Sequence, residues 1–253
     1  LEVLLEKRKK IFLHVQQKVK SRQLKNNNMS DLKFKAVETS LISPITWGDR
    51  NSIKRTLESI WKNYSSYIKT ASINSKIPAS VITSFIAVES GGDLKAGGSG
   101  SKTQGLMQWN RNFAKEQLEN ELKRKRMTIS EKNILAYYGI KFYDGKTRTI
   151  TAKDQLKPEL NILIGSIILG QLIDEKWATE NNNLFLDRVI AVYNAGAFGE
   201  AGKKARQLSS PKYDTPLKLV NTLNLITSAY IRKMMGVNGA MDISTSDLKT
   251  LIL

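Results

Sequence analysis

Apolar positions recur every three or four residues along most of the chain, the spacing of one helix face. In "NSIKRTLESIWKNYSSYIKTASINS" that face runs through Ile53, Leu57, Ile60 and Tyr64. Pro78 opens a second helix, at a position where its missing N–H costs nothing. Ile82, Phe85, Ile86 and Glu89 then share one face of it. "KPELNILIGSIILGQLIDEKW" is apolar on most sides and predicts a buried helix, too short to span a bilayer and interrupted by Asn161 and Gln171. "LFLDRVIAVYNAG" predicts a helix stopped by Gly196, and "TPLKLVNTLNLITSAYIRKMMG" one that closes the domain. "ENELKRKRM" reads as an exposed charged helix, and Asp144-Gly145 within "KFYDGKTRTIT" as the turn of a small β-hairpin. The fold class expected is mainly α. Residues 1–45 form a basic helical N-terminal extension, with Leu5, Phe12, Val15 and Val19 at helical spacing among lysines. Residues 46–238 form the main domain and 239–253 a C-terminal tail.

Composition narrows the chemistry. The 253 residues contain no cysteine and one histidine, His14. Disulfides, thiol nucleophiles and Cys- or multi-His metal sites are excluded, and a His-dependent triad is not expected. Acid–base work near neutral pH must then fall on carboxylates, lysines or tyrosines with displaced pKa values. The formal charge is +17, to which residues 1–35 contribute ten Lys/Arg against three acids, +7, leaving +10 for the rest. Such a balance suits an anionic partner: nucleic acid, an acidic membrane or an anionic wall polymer. Glu6 through Lys10 break the apolar run at the start, so no signal peptide is read there. The first residue is Leu rather than Met, which suggests a processed product or part of a longer chain.

One acid stands out. Glu89 shares the apolar stripe of its helix and sits in the last turn, where the macrodipole disfavours negative charge. Desolvation and the dipole both favour keeping its proton near neutrality, the state a general acid needs. Without further context it would be a surface Glu at a helix end. The segment that follows, "GGDLKAGGSGSKTQGLMQW", holds six glycines from Gly91 to Gly105. It suits a chain that bends sharply and lets another molecule approach its backbone. After Asp93 no Asp or Glu occurs until Glu116.

"ESGG…GLMQW", followed later by "AVYNAG", resembles the three motifs of the soluble lytic transglycosylases, peptidoglycan-cleaving enzymes with a goose-lysozyme-like helical fold. "IPASVITSFIAVESGG" resembles that family's entry helix, "PELNILIGSIILGQL" its central helix and "TSAYIRKMMG" its closing Thr-x-x-Tyr helix, so the likeness spans roughly Ile53 to Gly236. It implies that Glu89 is the single catalytic acid/base. It further implies that Gly105, Leu106, Met107 and Gln108 line the saccharide site, and that Ser99 contacts sugar. Tyr193 would support the acid and the substrate's acetamido group, with Asn194 and Gly196 completing that motif. Lys102 stands where a glycine is common, Ile168 replaces a usual tyrosine, and residues 112–156 read as an insertion.

The resemblance implies cleavage between N-acetylmuramic acid and N-acetylglucosamine with closure of a 1,6-anhydro ring, and no metal or cofactor. Hydrolytic goose-type relatives carry an acid after the "GLMQW" position, where this chain has Asn110. The partners expected are peptidoglycan strands at the bacterial wall, and virion or envelope-machine proteins docking on residues 1–45. A phage virion that opens the wall during genome entry fits this setting. The competing readings are a hydrolytic muramidase of the same fold and a non-catalytic wall-binding or structural component. Trp109 is either a sugar platform or a core anchor. Nucleic-acid binding through residues 7–35 has no motif behind it beyond charge and is not expected.

Overall fold

A computed structural model describes residues 47–98, 100–180, 183–196, 198–207, 216–246 and 248. The extension 1–45 and Ser99 lie outside the described residues. Helix α1, Arg50–Ser75, starts on Asp49, whose carboxylate accepts the Ser52 N–H at 2.9 Å. It buries the expected Ile53, Leu57 and Ile60. Helix α2, Ala79–Ser90, ends where Gly91 turns left-handed at φ +62° and its N–H bonds the Ala87 carbonyl.

The pattern of α2 predicts one buried face, yet every residue from Ser80 to Ala87 is buried. The hydroxyls permit this by bonding back along the helix. Thr83 donates to the Ala79 carbonyl at 2.7 Å, and Ser84 to that of Ser80 at 2.7 Å.

Helices α3 (Arg111–Lys123) and α4 (Ile129–Tyr137), a hairpin and the short α5 (Ala152–Gln155) fill the expected insertion. In the hairpin β1 (Phe142–Tyr143) pairs antiparallel with β2 (Lys146–Thr147) through Asp144 and Gly145, both at positive φ as its two-residue turn requires. Helix α6, Pro158–Ile173, runs through the centre with thirteen of its sixteen residues buried. It packs against α1, α3 and α7. A second hairpin, β3 (Thr179–Glu180) with β4 (Asn183–Leu184), was not foreseen. It leads into α7 (Leu186–Ala195), followed by α8 (Glu200–Ala205), α9 (Pro216–Thr222) and α10 (Leu225–Met235).

The expected C-terminal tail is in part structural. Residues 240–246 form α11 (Ala240–Ser246), which packs on α2 with Ala240, Ile243 and Ser244 buried. The Ser84 and Ser244 hydroxyls meet at 3.1 Å. The helical unit therefore continues past residue 238. Among the described residues no helix is long and apolar enough to cross a membrane.

Candidate active site

The α2 terminus, the loop carrying "GLMQW" and the end of α7 enclose a cleft of about 600 Å³. Glu89, one residue before the end of α2, lines it together with Gln108, Asn110, Tyr193 and Asn194. Among the described residues lining the cleft, Glu89 is the only acid. Burial pushes its pKa up to about 7, against the opposing effect of a hydrogen bond from Tyr230. That bond runs from the Tyr230 hydroxyl to Glu89 Oε1 at 2.5 Å. An acid so placed can hold a proton near neutrality and still form a supported carboxylate once the proton leaves.

The phenol on the acid differs from the one expected. Tyr193, on α7, donates instead to the Met107 carbonyl at 2.8 Å and packs edge-on against Phe85, ring centroids 4.9 Å apart. Its hydroxyl joins the cleft to the motif loop. Tyr230, from the closing helix, takes the role of supporting Glu89. Burial first, and then the Glu89 charge, hold both phenols well above the ordinary tyrosine pKa, so both remain donors. Tyr230 was hard to single out because it reads as a core residue in phase with Thr227, Ile231 and Met234. The signal available was its place in the Thr-x-x-Tyr pattern.

The loop motif divides into support and surface. Gly105, Leu106 and Met107 are buried and lie beneath the cleft wall, so they position the site and do not line it as expected. Gln108 reaches the cleft with its backbone at φ +46°, an uncommon conformation for a side-chain-bearing residue. Its amide nitrogen donates to the Gly105 carbonyl at 2.7 Å, which holds the side chain over the turn.

Asn161, fully buried on α6, organises the loop from below. Its Oδ1 accepts the Met107 N–H at 2.8 Å, and its Nδ2 donates to the carbonyls of Gln104 at 3.1 Å and Gln155 at 2.9 Å. Trp109 donates from Nε1 to the Asn161 carbonyl at 2.9 Å and is 3% exposed, so it anchors the core while its edge borders the cleft. Gly165 leaves room for Met107, whose side chain would collide with any Cβ there. Gln155, from the insertion, donates to the Trp109 carbonyl at 2.7 Å and ties that segment to the motif.

Asn110 caps α3, its side-chain oxygen accepting the N–H groups of Asn112 at 3.0 Å and Phe113 at 3.3 Å. Asn194 is half-buried at the end of α7, and Gly196 beyond it adopts φ +74°. Ile168 contributes an apolar patch of wall. Among the described residues no group of three or more His, Asp or Glu is arranged to hold a metal ion.

Residues 66–142 match the family described as the transglycosylase SLT domain. The chain therefore contains a segment similar to that domain, over part of its length. No curated protein matches it. The SLT match carries Glu89 and the loop through Gln108, while Asn161, Tyr193 and Tyr230 come from outside the matched stretch. At the level of the SLT family, the activity is of the lytic transglycosylase type and the substrate is peptidoglycan of the cell wall.

Proposed function

We propose that the chain is a peptidoglycan lytic transglycosylase in which Glu89 serves in turn as acid and base. The observation that carries this reading is the solitude of Glu89: it is the only acid among the described residues lining the cleft, with a pKa pushed up to about 7. Hydrolysis by a pair of carboxylates needs a second one to activate water. A lone carboxyl group suits a substrate that supplies its own nucleophile.

In this mechanism protonated Glu89 gives its proton to the glycosidic oxygen between N-acetylmuramic acid and N-acetylglucosamine, and the C1–O4 bond breaks. The acetamido oxygen stabilises the cation developing at C1. The Tyr193 phenol, its proton committed to Met107, keeps oxygen lone pairs that can accept the acetamido N–H, and Gln108 closes the other side. Glu89, now a carboxylate supported by Tyr230, takes the proton of the muramyl C6 hydroxyl as O6 bonds to C1. The ring closes, the acid regains its proton, and no water is consumed. Proximity of the internal hydroxyl replaces an enzyme-held base.

Residues 1–45, at high positive charge, are proposed to attach the catalytic domain to a larger wall-opening assembly such as a virion. Their removal is expected to leave the cleavage products unchanged.

Mass spectrometry of muropeptides released from purified walls tests the reaction. The expected products are anhydromuramyl species, one water lighter than reducing ends. Reducing ends alone would assign the chain to the hydrolytic muramidases, and no release would make it a binding component.

A further inference from the structure

Phe198 stands at the edge of the cleft with 83% of its surface exposed and forms part of the lining. Single exposed aromatics are ordinary, but this one is held in place. Gly199 donates its N–H to the Gly196 carbonyl at 3.2 Å, and a Cβ on Gly199 would lie 2.5 Å from the Ala195 carbonyl oxygen. The turn is therefore folded tightly onto the end of α7. Arg206, the C-cap of α8, places its guanidinium carbon 5.9 Å from the Phe198 ring centroid.

Among the described residues the Arg206 side chain has no other engagement. Its Nε is buried without a hydrogen-bond partner, and among the described residues it forms no ion pair. No Lys or Arg is among the described residues lining the cleft, so Arg206 brings positive charge to its rim through the aromatic ring. An aromatic ring backed by a cation and open to a cleft is suited to the C–H face of a sugar ring. A guanidinium beside that ring is suited to a carboxylate, which it can grip with two parallel N–H groups.

We propose that Phe198 and Arg206 form a recognition subsite for a peptide-substituted amino sugar, Phe198 stacking on the pyranose and Arg206 pairing with a carboxylate of its stem peptide. The inference rests on reading the cleft as a glycan site. It adds a preference for strands that still carry their peptides, in a cleft whose described lining is otherwise without cations.

Co-sedimentation with insoluble wall tests it, using the full chain in a Glu89→Gln background so that the wall is not consumed. Two walls serve as probes, intact peptidoglycan and the same glycan stripped of stem peptides by an amidase. Phe198→Ala is expected to weaken binding about tenfold on both, and Phe198→Trp to retain it. Arg206→Gln is expected to weaken binding about tenfold on intact wall and less than about twofold on stripped glycan. Thermal melts of each variant separate lost contacts from lost folding, and a Phe198→Ala protein that fails to fold leaves the comparison of Phe198→Trp and Arg206→Gln on the two walls to decide. Unchanged binding of Phe198→Ala, or equal weakening by Arg206→Gln on both walls, would overturn the subsite. Binding that depends on Phe198 in a chain whose wild type cleaves nothing would overturn the proposed reaction and leave the subsite standing.

Discussion

Tyr230 donates a hydrogen bond of 2.5 Å to Glu89 from 141 residues along the chain, joining the closing helix to the acid at the end of α2. The bond favours the carboxylate, whereas burial favours the neutral acid and prevails. The two together leave the group able to give a proton and to take one back.

Removing the phenol should alter pH dependence as well as rate. Wild-type activity is expected to fall on the alkaline side as Glu89 loses its proton near pH 7. Tyr230→Phe takes away a contact to the charged form, so that limb should move upward by on the order of one pH unit, with a lower maximum. A pH–rate profile on solubilised glycan checks this. A limb that stays put, or moves down, would show that Tyr230 does not act through Glu89.

The same displaced pKa has a consequence for stability. The folded pKa of Glu89 lies above its ordinary value of 4.5, so between about 4.5 and 7 the folded state holds more protons than the unfolded one. Stability from this group is therefore whole below pH 4.5 and declines as pH rises through 7. Glu89→Gln removes the ionisation and should stabilise the protein at pH 8 by on the order of 2–3 kcal/mol relative to its effect at pH 4.5. Melting curves at the two pH values read this difference directly.

Asn161→Ala should be among the most damaging substitutions away from the cleft. It leaves the Met107 N–H and the carbonyls of Gln104 and Gln155 without their buried partner. A loss of about 3 kcal/mol or more is expected in denaturant unfolding, together with loss of activity as the loop bearing Gln108 shifts. Asn161→Asp should be poor as well, because a carboxylate would face two carbonyl oxygens.

Gly165→Ala inverts a familiar expectation. In an exposed helix interior that change stabilises by about 1 kcal/mol. Here the added Cβ would lie 2.8 Å from Met107 Cβ, a part of that side chain unable to swing away. Destabilisation by about 1–3 kcal/mol is expected, with weakened activity because Met107 carries the carbonyl that Tyr193 holds. A gain in Tm would show that the loop is free to move.

Much of this arrangement was legible in the order of residues. Apolar spacing marked the helices, and Glu89 drew notice as the polar member of an apolar face that stops at Gly91. The loop after it was visible through its glycines, and the Asp144-Gly145 hairpin through its turn. What could not be read were pairings between distant segments. Asn161 looks like a polar interruption in an apolar helix until Met107 and Gln104, more than fifty residues away, are brought beside it. Tyr230 is in phase with a core face, so periodicity alone files it with Ile231 and Met234. Leu106 and Met107 were expected to line the cleft and are fully buried instead, outside its lining, because they pack into the apolar core that periodicity alone could not place under the loop. Helix α11 was missed since Ala240 and Ile243 provide too little apolar face to stand out amid Asp, Ser and Thr.

The central claim is that a single carboxyl group moves the proton in both halves of the reaction. The most direct measurement is the rate of muropeptide release from purified walls by Glu89→Gln beside the wild type, with both proteins shown to be folded and wall-bound. The account predicts a fall of at least about a hundredfold, since general acid–base catalysis contributes roughly that much or more. Release by the variant at the wild-type rate would contradict it.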